Sequence, residues 1–129
     1  MPRKDNFTSP LLYLHSNSRK DMRTAEANTI LDKILKQVEK NGIQPDKIVP
    51  LLQQAREYAL KEEDPLLTRA LRLCWQHLES NDGFDLTYLE DGESTEENFN
   101  YLISLAIKSE NTYNRDEIRE MTNMLQAMA

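Results

Sequence analysis

The sequence predicts an all-α fold: a compact bundle of about five helices with one long acidic connection. Three observations support this prediction. Apolar residues recur at steps of three and four, which is the period of an amphipathic helix. Residues with high helix propensity fill long stretches. The chain contains only three glycines and five prolines, too few for the many tight turns of a β-sandwich or barrel.

The chain length of 129 residues corresponds to one domain. Residues 1–17 show no clear period and contain two prolines, so we interpret them as an N-terminal arm, either packed on the body or loose from it. Residues 18–129 then form a single helical domain, in which we expect the helices to pack as antiparallel neighbours. We expect no membrane segment, because no apolar run reaches signal-peptide or membrane-spanning length. Cys74 is the single cysteine, so a cytoplasmic location is expected.

The first two helices have clear local signals. The first is expected from about residue 19 to residue 40, because apolar residues line one of its faces. Gly42 suits a left-handed C-terminal cap, and Pro45 opens a second helix that runs to about residue 62. Pro50 lies well inside this helix. It predicts a kink or a late start, because proline lacks a backbone donor and clashes with the preceding turn.

The third helix is expected from Pro65 to about residue 79. Asp64 can accept hydrogen bonds from the free N–H groups of its first turn, and proline is tolerated at its first position. The polar stripe of this helix is narrow. We therefore expect other helices to cover it on more than one side, at the centre of the fold.

The last two helices follow an acidic stretch. Ser94 and Glu97 have the spacing of a capping box at the start of the fourth helix, which extends to about residue 109. Asn114 is predicted as the N-cap of the fifth. The apolar line of the fifth helix has heptad-like spacing and is interpreted as core, with a dimer seam or partner groove as the alternative. This line comprises Ile118, Met121, Leu125 and Met128.

The acidic connection, residues 78–93, holds six carboxylates and neither lysine nor arginine. Calcium binding is disfavoured, because a ligand series that begins at Glu79 places Gly83 fifth, whereas an EF-hand loop needs its glycine sixth. Paired-carboxylate catalysis is disfavoured too, because acids among small polar residues should be solvated and ionise normally. Within this connection the alternating pattern at 84–89 allows a short extended segment.

Two interpretations of the acidic connection stay open. In the first, it is a structural link pinned by three apolar anchors, Phe84, Leu86 and Tyr88. In the second, its aromatic side or its acidic side, which includes Glu90 and Asp91, contacts a partner. Long loops often carry functional residues, which supports the second interpretation.

Cys74, Trp75 and His77 are the other candidates for chemistry, on the third helix. Structural zinc normally takes four ligands, and the chain offers one further histidine, His15, and no second cysteine. Cys74 lies in an apolar line and is interpreted as a small buried residue. A small enzyme or ligand-binding protein with a site near these three residues is the alternative.

The net charge of −6 disfavours nucleic-acid binding. A basic group, Arg19, Lys20 and Arg23, nevertheless lies near the start of the first helix. It is interpreted as a solvated face. A transcription-related regulator that contacts anionic partners through this region is the second alternative.

Familiar catalytic signatures are missing from the sequence: there is no Gly-rich phosphate loop, no G-x-S-x-G, no H-E-x-x-H and no CxxC pair. We therefore predict no catalytic residue, no metal site and no cofactor. The leading hypothesis is a non-enzymatic protein–protein interaction or adaptor domain that binds a protein partner or self-associates as a homodimer. The candidate partner-binding residues are Phe84, Leu86, Tyr88, Glu90, Asp91, Met121, Leu125 and Met128.

Overall fold

The computed structural model describes residues 25–89 and 94–129, which form five helices. These ranges contain no β-strand, and the all-α prediction is confirmed. The predicted arm at 1–17 and the basic group at 19–23 lie outside the described residues. The helices are α1 (Ala25–Asn41), α2 (Pro45–Lys61), α3 (Pro65–Asn81), α4 (Thr95–Ile107) and α5 (Thr112–Met128).

The link between α1 and α2 is a short turn at Gly42. This residue has a φ of +74°, and its N–H donates to the carbonyl oxygen of Val38 at 2.8 Å. Only glycine adopts this conformation without steric cost. The predicted left-handed cap is therefore confirmed.

Helix α2 begins at Pro45 and continues through Pro50. The alternative of a late start is therefore wrong. Proline at position 50 removes one hydrogen bond to the carbonyl of Asp46, which lies in the first turn. Asp46 is exposed, so water can reach that end of the helix and the loss is tolerated.

Helix α3 starts as the sequence predicts and ends two residues later. Asp64 is extended, and its side chain accepts a hydrogen bond from the N–H of Leu67 at 3.2 Å. At the other end Asp82 adopts a left-handed conformation with a φ of +52°. The chain leaves the helix there and enters the acidic connection.

The predicted cap of α4 is confirmed, and the predicted cap of α5 is wrong. Ser94 and Glu97 form the predicted capping box. The prediction of Asn114 as the cap of α5 is wrong, because Asn111 takes that position and its side-chain oxygen accepts from the N–H of Tyr113 at 2.8 Å. The Asn114 side chain instead donates to the carbonyl oxygen of Lys108, 2.9 Å away.

The five helices pack as a closed ring. The closely packed pairs are α1 with α2, α2 with α3, α3 with α5, α5 with α4, and α4 with α1. Helix α3 buries seven residues between α2 and α5, so the expected cover on two sides is found. Each helix of the ring has two closely packed neighbours, so α3 is no more central than the other four.

Helices α3 and α5 run in the same direction. Asp64 at the start of α3 contacts Arg115 in the first turn of α5. Farther along both helices, Arg69 reaches Asn123. This corrects the expectation that all neighbours are antiparallel. A short turn between two consecutive helices reverses the chain and makes them antiparallel. No such turn joins α3 to α5, because the acidic connection and α4 lie between them in the sequence.

Candidate functional site

Residues 84–89, for which an extended segment is predicted and which we call the extended segment, form no helix or strand and lie on the helices through two buried anchors. Phe84 and Leu86 are 3% and 1% exposed. The ring of Phe84 meets the edges of two others, His77 on α3 and Phe99 on α4, each at 5.3 Å between centroids. These contacts fix the segment across the ends of two helices and supply apolar burial as well as the favoured edge-to-face geometry.

Polar contacts fix the backbone of the same segment. The N–H of Asp85 donates to Nε2 of His77 at 2.9 Å. The N–H groups of Tyr88 and Leu89 both donate to Oδ1 of Asn98, at 2.6 and 2.7 Å. Asn98 is fully buried, and its Nδ2 donates to the carbonyl oxygen of Ser94 at 2.7 Å. The side chain of Asn98 thus accepts the two backbone hydrogen bonds that a neighbouring strand would accept in a sheet.

Asn98 was missed in the sequence analysis. Its position was informative, because Asn98 precedes Leu102 by one helical turn and so lies on the buried face of α4. A polar residue in that position requires partners inside the fold. The extended segment supplies them.

His77 is buried and electrically neutral in this arrangement. Burial lowers its pKa, and the nearby charge of Asp85 opposes that effect. Nε2 accepts the Asp85 N–H, so that nitrogen carries no proton. Nδ2 of Asn81 donates to the carbonyl oxygen of His77 at 2.9 Å and lies 3.2 Å from Nδ1 of the ring.

Two tyrosines link the extended segment to α5. Tyr88 and Tyr101 stack with ring centroids 6.2 Å apart. The hydroxyl of Tyr88 donates to Glu120 at 2.5 Å, and that of Tyr101 donates to Glu117. Burial, followed by the Glu120 hydrogen bond, raises the pKa of Tyr88. The hydrogen bond to Glu117 raises the pKa of Tyr101 to about 12.

Glu117 and Glu120 belong to a row along one side of α5, in which Glu117 is partly exposed and the other members are exposed. Its members follow at steps of four, three, four and four, so they share one side of the helix. They are Tyr113, Glu117, Glu120, Met124 and Met128. Tyr113 is 80% exposed, Met124 37% and Met128 46%. We call the surface formed by Tyr88, Tyr101, Tyr113, Met124 and Met128 the tyrosine–methionine face.

The eight candidate partner-binding residues divide between core and surface. Phe84, Leu86, Met121 and Leu125 are buried. Tyr88 is partly exposed and Met128 exposed, and both belong to the tyrosine–methionine face. Glu90 and Asp91 lie outside the described residues. The accessible candidate of the extended segment, Tyr88, and that of α5, Met128, therefore lie on one surface. The four buried candidates belong to the core.

Tyr113 and Met124 were absent from the candidate residues. Their positions around the helix were informative, because neither residue lies on the face of α5 that Ile118, Met121 and Leu125 bury. Large apolar residues outside the buried line of an amphipathic helix are expected to be exposed.

A groove of about 350 Å³ separates the last turns of α3 and α5. Its lining includes Leu73 and His77 on one side and Leu125 and Met128 on the other. Met128 thus borders both this groove and the tyrosine–methionine face. The groove has the volume to receive an apolar side chain, which would contact Leu73, Leu125 and Met128 among its mixed polar and apolar lining.

Cys74, Trp75 and His77 face different neighbours. Cys74 is fully buried, and burial raises the pKa of its thiol, so the reactive thiolate is disfavoured. Trp75 is partly buried beneath the guanidinium of Arg56, 5.8 Å from the ring centroid. His77 borders the groove, whereas Cys74 and Trp75 do not. The three side chains therefore form no common site there.

Within the two described ranges, no group of three or more His, Cys, Asp or Glu side chains is placed to hold a metal ion. The helices in these ranges include none whose length and hydropathy would let it cross a membrane. Comparisons of the chain with protein-family models, with curated proteins and with solved structures find no match. The functional proposal therefore rests on the surface chemistry of the chain itself.

Proposed function

We propose that this chain is a non-enzymatic protein-interaction domain that binds a protein partner through the tyrosine–methionine face. The observation that carries the proposal is the hydrogen bond from Tyr88 to Glu120. It places the extended segment one helical turn from Met124, on the same side of α5. Two surfaces that are remote in sequence thereby become one.

The composition of this face supports the proposal. Tyrosine and methionine are enriched in protein interfaces, and tyrosine is prominent among the residues that contribute most to binding. Methionine adapts its shape to varied partners. Stacking and hydrogen bonding hold Tyr88 and Tyr101 before any partner arrives, which lowers the entropy lost on binding.

The charges along α5 favour a particular partner. Glu117 and Glu120 lie between the apolar members of the row. A partner segment with apolar side chains flanked by lysine or arginine would complement both features. Self-association as a homodimer is the alternative. A two-fold interface would bring the acids of two copies together, so we favour a different protein.

Affinity capture from native cell lysate tests the proposal. We would compare the unmodified chain with the pair Met124→Asp and Met128→Asp, and with a control pair, Gln53→Asp and Gln54→Asp, on the exposed side of α2. Both pairs add the same charge. We expect the methionine pair to abolish capture of a partner that the control pair retains. Equal capture by both variants would remove the face from consideration.

Light scattering addresses the homodimer alternative. A monomeric mass is expected for the chain alone. A dimeric mass that the methionine pair converts to a monomer would instead assign the face to self-association. The melting temperature of each variant, followed by circular dichroism, would show whether the substitutions leave the fold intact.

The groove between α3 and α5 bears on the small-ligand alternative. It lies beside His77, one of the three residues named for that alternative. The Nε2 atom of His77 already accepts the Asp85 N–H, which leaves it unable to serve as a base without releasing the extended segment. We propose that the groove receives an apolar side chain of the protein partner. The regulator alternative rests on residues 19–23 and stays a prediction.

A further inference from the structure

A second surface lies at the corner between α2 and α3. It is a cleft of about 400 Å³, and three arginine residues contribute to its lining, Arg56, Arg69 and Arg72. Leu60 and Pro65 add apolar surface, and Leu60 is 44% exposed. We call this feature the arginine cleft. In a chain with a net charge of −6 it is a local concentration of positive charge.

The positive charge of the cleft is only partly compensated. Asp64 also lines it, but that carboxylate is buried and bonded to Arg115. Glu63 is the exposed carboxylate of the lining. Arg69 donates to two neutral amides, and Arg72 makes no hydrogen bond or ion pair with another described residue. Arg56 lies 3.8 Å from the exposed carboxylate of Glu57, so Arg69 and Arg72 are the cations of the cleft without a carboxylate partner among the described residues.

Two of the three guanidinium groups are held in place. That of Arg56 lies over the ring of Trp75. That of Arg69 contacts Asn123 at 3.3 Å and Gln126 at 3.5 Å, on α5. Groups that are positioned before binding lose less entropy when a ligand arrives. Arg72 supplies the third charge, from a side chain free to adjust to the ligand.

The start of α3 offers little to a small anion. A free helix N-terminus binds phosphate through its N–H groups. Here Pro65 has no N–H, and the Asp64 side chain already accepts from Leu67. Recognition in the cleft therefore depends on side-chain charges spread over two helices and on the apolar surface beside them.

We propose that the arginine cleft binds an acidic peptide segment of a partner protein, with carboxylates on both sides of an apolar side chain. The carboxylates pair with the guanidinium groups, for which planar two-pronged contacts are favourable. The apolar side chain covers Leu60 and Pro65. Screening within roughly 8 Å at physiological ionic strength weakens repulsion from the remaining acidic surface. This inference is independent of the tyrosine–methionine face.

Fluorescence anisotropy tests the proposal with a labelled synthetic peptide in which glutamates flank a central leucine. We would compare the unmodified chain with Arg72→Glu and with Arg119→Glu, an exposed arginine of α5 that pairs with Asp116. Both variants change the net charge equally. We expect Arg72→Glu to weaken binding by about tenfold or more and Arg119→Glu by less than about twofold. Arg72→Gln, which keeps a polar side chain of similar length, should fall between them.

Peptide variants and competitors complete the test. Glutamine in place of glutamate, or alanine in place of leucine, should weaken binding, and added salt should weaken it further. Equal effects of Arg72→Glu and Arg119→Glu would overturn the proposal, as would the absence of saturable binding at low salt. Displacement of the peptide by inorganic phosphate or by a single-stranded oligonucleotide at lower concentration would also overturn it, in favour of an anion or nucleic-acid site.

Discussion

Arg115 and Asp64 form a two-pronged ion pair that joins the N-terminal ends of α5 and α3. The Nη1 and Nη2 atoms of Arg115 lie 3.1 and 3.0 Å from the two carboxylate oxygens, across 51 positions of sequence. Nη1 also donates to the carbonyl oxygen of Ser109, at 3.3 Å. The Asp64 side chain is 3% exposed and caps α3 as well. One carboxylate thus serves a helix terminus and a contact between helices.

Replacing Asp64 by alanine should therefore be strongly destabilising. It removes the cap and leaves the Arg115 charge without that carboxylate, for a combined loss of about 4 kcal/mol in the free energy of unfolding. Urea denaturation would measure the loss. The control is Asp116→Ala, which breaks an exposed pair with Arg119 and should cost less than about 1 kcal/mol. Similar losses for the two variants would contradict the assigned role.

Asn98 should control the order of the extended segment. Asn98→Leu keeps a side chain of similar size but leaves the N–H groups of Tyr88 and Leu89 without their acceptor. We expect a loss of about 2 kcal/mol in unfolding free energy and faster hydrogen exchange at both amides. Exchange monitored by nuclear magnetic resonance would test this.

Asn100 on the same helix is the matched control. Its side-chain oxygen is buried and has no hydrogen-bond partner among the described residues. Asn100→Leu should therefore be neutral or stabilising, because it removes an unsatisfied polar group. If both substitutions released the extended segment equally, the effect would belong to α4 as a whole.

His77 should make stability fall in mildly acidic solution. Its folded pKa is below the ordinary value of 6.5, so the unfolded chain binds the proton more readily. The contribution of neutral His77 is present above pH 6.5 and is lost as the pH falls toward the folded pKa. The slope is at most about 1.4 kcal/mol per pH unit, the limit for one proton.

Substitution of each histidine identifies the source of this slope. The chain has two histidines, so urea midpoints would be compared for His77→Phe and His15→Gln between neutral pH and the onset of carboxylate titration. We expect the first variant to lose the slope just below pH 6.5 and the second to keep it. The reverse result would exclude His77 as the titrating group.

Tyr101 should produce the opposite dependence in alkaline solution. Its folded pKa is raised to about 12, from an ordinary value of 10.0, so the folded state keeps the proton longer than the unfolded state. Its contribution is complete below pH 10 and is lost as the pH rises toward 12. Glu117→Gln should reduce this loss, because the anionic acceptor is the main cause of the shift.

Urea midpoints on both sides of pH 10 would measure the effect of Glu117→Gln. Glu39→Gln, at an exposed position on α1, is the control and should behave like the unmodified chain. The hydrogen bond between Tyr101 and Glu117 would have no role in alkaline stability if the two variants behaved alike.

Local signals predicted most of the helix ends. Gly42, Asp64 and Ser94 each make hydrogen bonds with backbone groups at most four residues away, so the sequence predicts their roles as caps. The prediction of Asn114 as the cap of α5 failed because the turn after α4 places Asn111 there instead, and no local signal specifies the geometry of that turn. Asn98 was overlooked because its partners lie in a segment with no regular structure.

The sequence by itself determined five amphipathic helices and most of their caps, because periodicity and capping depend on residues at most a few positions apart. The tertiary structure alone decided the ring order and the parallel run of α3 beside α5. It also brought Tyr88 to Glu120, 32 positions away, and Asp64 to Arg115. Such contacts depend on how the helices pack, and no local pattern in the chain specifies which distant side chains will meet.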